Sequence, residues 1–292
     1  MKSFVGRNCS SIVSAVVFAV VGALAYGSNA SIATAEGTLE KLQKAGVARV
    51  GIGNEPPYSQ MVGGSTVTGA APEVAKAVLK KLGISNVEGI VVEYGAMIPG
   101  LQAGRFDLVA AGLFMKPERC QAILFSDPDV CGSEGMMVKK GNPHGIYGQA
   151  DIAANPDLKV GICGGCIEEK YAAAANVKPQ QIVVVPDVPS GLKMVQDGRI
   201  DAYAMTSLAL YDIQNKTGAD DVEIFAPAKD TPIACAGAAF RKTDVAFRDA
   251  YDKALAELKD SGEFGEILSK FGFTEEATKQ ASRDELCGGP NT

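Results

Sequence analysis

Histidine is almost missing from this sequence: His144 is the only one in 292 residues. An activated serine or cysteine needs a neighbouring base, most often histidine, and no serine-histidine pattern occurs. Nor is there a phosphate-cradling glycine loop, a dinucleotide fingerprint or a set of acidic residues at catalytic spacing. The chain also lacks excess positive charge. With 28 Lys and Arg against 34 Asp and Glu, its formal net charge is −6, which leaves no basic stripe for nucleic acid. Past residue 35 no apolar run is long enough to span a bilayer. The Cys163-Gly-Gly-Cys166 motif has no second pair at comparable spacing, which argues against a zinc site. No metal, cofactor or nucleic-acid partner is expected, and the chain is not expected to be membrane-embedded.

What is present begins with an export signal. Lys2 and Arg7 precede an apolar run over residues 12–26, and small residues follow it. Cleavage after Ala30 or Ala35 suits the small-residue rule, and Ala35 is preferred. Cys9 precedes the apolar run and is badly placed for lipid modification, so an exported, unanchored protein is expected. About 255 residues remain, enough for two lobes that each bury a core. The six cysteines beyond Cys9 permit fifteen full disulfide pairings, none singled out by spacing. Cys163 and Cys166 fit a reactive redox pair or an ordinary structural bridge.

Hydrophobic periodicity implies βαβ alternation. Residues 47–53 read as a strand stopped by Pro56-Pro57. Val74, Ala75, Val78, Leu79 and Leu82 recur at helical spacing, and Gly83 follows as a cap. A strand at 90–92, a helix at 96–103, a strand at 106–111 and a helix from Pro117 continue the alternation. After residue 143 it restarts, with strands at 158–162 and 181–185 and helices at 168–175 and 189–197. The tail over 245–271 reads as helical. A return of the chain near residue 233 would pack that tail on the first half and leave two crossings as a hinge.

These segments resemble the family-three solute-binding proteins of bacterial polar amino-acid importers. The likeness rests on Val50-Gly51-Ile52 with Pro56-Pro57-Tyr58, Gly69 through Val74, and the stretch from Leu101 to Asp107. It extends through Pro117-Glu118-Arg119, Phe125-Ser126-Asp127-Pro128 and Asp197 to Ala202. It implies an α/β, two-lobed periplasmic-binding fold of type II, with mixed sheets and a two-segment hinge. The expected division is a signal peptide at 1–35, lobe 1 at 36–140 and 237–285, lobe 2 at 141–236, and a tail at 286–292. The resemblance also implies a monomer in the periplasm that delivers a small zwitterionic solute to the membrane permease subunits of an ABC importer.

Arg119 matches the family arginine that holds a ligand carboxylate, and a guanidinium fork suits that task. Thr206 stands where many α-amino-acid binders carry an aspartate for the ligand ammonium, so a simple amino acid is disfavoured. The segments 93–107 and 114–120 are closer to the ectoine and 5-hydroxyectoine binders. In that subgroup a glutamate, three aromatics and the arginine enclose the ligand, which maps here to Glu55, Tyr58, Tyr94, Phe114 and Arg119. Aromatic faces attract a spread positive charge by about 0.5–2 kcal/mol each, although each aromatic alone is more often a core residue. Gly112, Cys166 and Ile167 complete the implied site. Ile167 replaces a threonine of the subgroup, yet N–H groups of the turn before the 168–175 helix offer another anion contact. Three other readings follow from the same residues: a binder for a polar amino acid or betaine, a cyclic-acid dehydratase on this fold, and a detached sensory module.

Overall fold

The computed structural model describes residues 37–229 and 231–289. The export segment, its cleavage positions and Cys9 lie outside them. Among the described residues no helix is long and apolar enough to cross a membrane.

Two five-stranded mixed sheets form the frame. In the first, Val47–Ile52 pairs in parallel with Asn86–Val91 and Leu108–Val109, and Ala239–Phe240 runs antiparallel between Leu108–Val109 and Leu124–Phe125. Helix Ala70–Lys81 buries Val74, Ala75, Val78 and Leu79 on one face, as their spacing predicts. The tail supplies the cover for that helix. It is two helices, Val245–Asp260 and Glu263–Ser269, since Gly262 at φ 80° breaks the single helix expected from periodicity. Phe247, Tyr251, Leu258 and Phe264 from the tail join Val74 and Val78 in one core.

The second sheet carries Ile182–Val185, Val160–Cys163 and Ala202–Thr206 in parallel, then Glu134–Lys139 and Val222–Phe225 antiparallel. Its largest buried aromatic is Tyr203, packed with Leu192, Val195 and Ile200. Strand Glu134–Lys139, expected in lobe 1 because the first lobe was bounded at residue 140, is an inner strand of this second sheet. It pairs residue for residue with Ala202–Thr206. The chain therefore crosses earlier, near residue 133, than the Gly-Asn-Pro turn at 141–143 suggested.

The two crossings lie side by side. Val130–Gly132 pairs antiparallel with Ala234–Ala236, and Cys131 faces Cys235 in register and is bonded to it. The other bridges are Cys120–Cys287 and Cys163–Cys166. The first of these ties residues expected to be a loose tail onto the body of the first sheet, beside Leu286 and Ile123.

Candidate functional site

The cleft between the two sheets is closed. Its floor is the segment after Leu108–Val109. Here Gly112, at φ 74°, leaves no room for a Cβ beside the Tyr58 ring, which lies 2.6 Å from where that atom would sit. Phe114 bridges to Ala236 and Met115 N–H donates to Cys235 O at 2.9 Å, so the floor is bonded directly to the second crossing strand. Helix Pro117–Ala122 begins with proline at its first position and presents Arg119 inward.

A tight cavity in this cleft, with room for about one water molecule in this closed arrangement, is lined by eight of the nine residues expected from sequence: Glu55, Tyr94, Gly112, Phe114, Arg119, Cys166, Ile167 and Thr206. Tyr58 does not line it. Its ring is 1% exposed and stacks edge-on against Phe114 and Phe273, with centroids 5.9 and 4.8 Å away. In sequence, its shared placement with Tyr94 and Phe114 sets Tyr58 among the ligand-facing aromatics, although core packing is the commoner fate of a single aromatic. Two lining residues were missed, Glu168 and Met205. Glu168 follows Ile167 directly, and its acidic side chain was the available signal.

Arg119 is 5% exposed. Its Nη1 donates to Phe114 O at 2.6 Å, and its Nη2 reaches across the cleft to Gly165 O at 2.8 Å. Among the described residues it has no carboxylate within ion-pair distance. Burial holds its pKa below the usual arginine value. Opposite it, Thr206 Oγ1 donates to Glu55 Oε1 at 2.7 Å, a second link between the bodies. Burial, reinforced by Glu168, pushes the Glu55 carboxyl up to about 8. Tyr94 donates to Ala111 O at 2.7 Å, which fixes its ring at the cavity edge.

Ile167 is buried in the apolar cluster of the first body with Phe114 and Tyr58, so it serves as an apolar contact across the cleft. The turn before it has its own acceptors: Gly165 N–H donates to Glu169 Oε1 at 2.9 Å, and Cys166 N–H to Cys163 O at 3.4 Å. The anion contact expected from free turn N–H groups is thus filled at these two positions by the protein itself. Cys163 and Cys166 are bonded to each other, and among the described residues no cluster suited to a metal ion occurs.

Closure depends on two glycines meeting. A Cβ on Gly165 would lie 2.7 Å from Gly95 Cα on the opposite body, and Gly165 has φ 79°. Gly165→Ala is therefore expected to hold the cleft ajar and weaken solute binding by at least 10-fold while leaving each core intact. Titration beside a scattering measurement of compactness checks this; unchanged affinity and compactness would refute it.

Ionisable groups buried here also set a pH dependence. Glu55 rises to about 8, and Asp129, 1% exposed at the first crossing, rises to about 7, both through burial. Folded pKa values above the unfolded ones mean that the folded state holds extra protons. Their contribution is fully present below about pH 4 and is lost as pH rises through 7 to 8, at about 1.4 kcal/mol per pH unit for each group within its window. In the closed arrangement the two windows sum to about 7 kcal/mol between pH 5 and 8, so the protein should melt more than about 10 °C lower at pH 8 than at pH 5, since each kcal/mol moves a domain of this size by about 2–4 °C. A flat or rising profile in calorimetry would contradict this.

Two mixed sheets, two adjoining crossings and a charged cavity between them define a solute-binding protein of the type II periplasmic-binding fold. Residues 48–275 match the bacterial extracellular solute-binding proteins, family 3, and the chain belongs to that family. It is 33% identical over 282 residues, 93% of this chain and 92% of the relative, to the probable amino-acid ABC transporter periplasmic-binding protein y4tE of Sinorhizobium fredii. Among solved structures, EhuB in complex with hydroxyectoine shares 50% identity at a TM-score of 0.83, covering 85% of this chain and 97% of that one. The ancestral amino-acid-binding protein AncCDT-1, a precursor of cyclohexadienyl dehydratase, shares 29% at 0.69, covering 80% and 99%. The family and the curated relative are binding proteins.

Proposed function

We propose that this protein is the periplasmic receptor of an ABC importer for a compact zwitterionic solute, ectoine or 5-hydroxyectoine above others. The observation that carries the reading is Arg119, a buried guanidinium with no anionic partner among the described residues. An uncompensated buried charge is costly, and a ligand carboxylate supplies the missing partner through two parallel charge-assisted hydrogen bonds. The same cavity is also lined by Glu55 and by the aromatic side chains of Tyr94 and Phe114, which suit a delocalised cation. A lining that combines one cationic group with acidic ones matches a zwitterion. The likeness to EhuB, captured with hydroxyectoine, favours a cyclic amidinium carboxylate over an open-chain amino acid. A polar amino acid is the second reading, favoured by the name of the curated relative.

In this account the solute settles on Arg119, Tyr94 and Phe114, and the second body closes over it through Thr206 and the 164–167 turn. The permease subunits then recognise the closed form, whose population rises by the solute's preference for it. Solution scattering of the exported protein tests closure. Saturating ectoine should produce a particle that fits the closed arrangement, more compact than the solute-free protein. An identical profile with and without every zwitterion tested would contradict the mechanism.

A further inference from the structure

Glu134 and Glu168 are two carboxylates that the reading above leaves unused. Glu168 is 1% exposed and lines the cleft cavity, and Glu134 is 2% exposed. Glu134 stands directly opposite Thr206 in the antiparallel pair of strands, so both side chains leave the same face of the sheet. Thr206 reaches Glu55 from that face, which places Glu134 behind the cavity wall. Among the described residues no N–H or hydroxyl reaches either carboxylate oxygen of Glu134, or Oε2 of Glu168, so their one possible partner in the protein is a proton shared between the two carboxyls. Such orphaned acceptors are rare in folded proteins and cost about 1–3 kcal/mol each, more when charged. Around the cavity, among the described residues, three buried carboxyl groups, Glu55, Glu134 and Glu168, thus stand against one buried cation, Arg119.

We infer that Glu168, backed by Glu134 from behind the cavity wall, forms a second acidic subsite beside Glu55, which takes an N–H group of the solute's cation and so selects an amidinium, guanidinium or ammonium over a quaternary ammonium. The inference rests on the zwitterion reading and refines it. An aromatic face attracts any spread cation, but only an N–H donor satisfies a carboxylate oxygen. A methylated betaine would leave those oxygens as unpaired as before. The two carboxyls are close enough to share a proton, and burial holds both above the ordinary carboxylate range. The ionisable groups acting on them, among the described residues, include Glu55, Tyr58, Tyr171, Tyr203, Arg119 and Glu169, of which Arg119 alone is cationic. A cation arriving at the pair favours the ionised form, so binding releases a proton.

The test is calorimetric titration of the wild-type exported protein, Glu168→Gln and Glu134→Gln with ectoine and glycine betaine, in two buffers of different ionisation enthalpy. Ectoine is expected to release protons from the wild type, to bind Glu168→Gln at least 10-fold more weakly, and to lose proton release in that variant. Glycine betaine should bind weakly and equally to all three. Because each change removes a buried repulsion, the solute-free variants should melt at or above the wild type, whereas a purely structural role would make them melt lower. Variants that bind ectoine like the wild type, or a wild type that binds without proton release, would overturn the subsite while leaving the receptor reading intact. A wild type silent to every zwitterion removes both.

Discussion

Replacing Arg119 with alanine is expected to weaken solute binding by about 10²- to 10³-fold. The guanidinium is buried, spans the cleft from Phe114 O to Gly165 O, and among the described residues has no carboxylate within ion-pair distance. Truncating one member of a buried, hydrogen-bonded charge pair costs about 2–5 kcal/mol, much of it from leaving the other charge unpaired. Every 1.4 kcal/mol is a factor of ten in affinity. Arg119→Lys keeps the charge but loses the fork, so its loss should be smaller yet distinct. Removing one cation-π face, as in Phe114→Ala, should cost less than Arg119→Ala. Normal binding by Arg119→Ala would mean that the carboxylate sits elsewhere.

Loss of the Cys131–Cys235 bridge should have a large effect on stability. This bridge joins the two crossing strands and closes a loop with a sequence separation of 104 residues. Chain-entropy reasoning puts a loop of that length near 4.7 kcal/mol, and measured losses of native bridges run at about 2–5. The double variant Cys131→Ser, Cys235→Ser should melt roughly 10 °C lower. Its solute affinity well below the transition should change far less, because backbone pairing of Ala234–Ala236 with Val130–Gly132 keeps the crossings adjacent. A melt within 2 °C of the wild type would show that this pairing alone sets hinge stability.

Local pattern carried the elements whose periodicity is unambiguous. Helix Ala70–Lys81 follows from Val74, Ala75, Val78 and Leu79, and strand Val47–Ile52 from its β-branched run and the prolines after it. Patterns failed where one residue's backbone freedom decided the outcome, as at Gly262, or where pairing across the chain did. Nothing in the sequence around Glu134 shows that its strand lies opposite Ala202–Thr206, so neither the earlier crossing nor the buried position of Glu134 was legible. The eight lining residues were legible through motif resemblance, which carries spacing around a site. Tyr58 has the right spacing, yet the Gly112 backbone and the Phe273 ring enclose it. The disulfide pairs needed the fold, because Cys131 and Cys235 meet only once both crossings are placed.

The central claim is that a zwitterion places its carboxylate on Arg119 and its cation on the acidic, aromatic side of one closed cavity. Calorimetric titration of the oxidised, exported protein with ectoine and hydroxyectoine tests it most directly, with proline, glycine betaine and histidine as comparators at the same salt and pH. Saturable one-to-one binding, tightest for ectoine or hydroxyectoine and lost in Arg119→Ala, is the predicted result. Tight binding of a comparator with no heat from either ectoine would overturn the solute assignment, and binding that survives in Arg119→Ala would contradict the site itself.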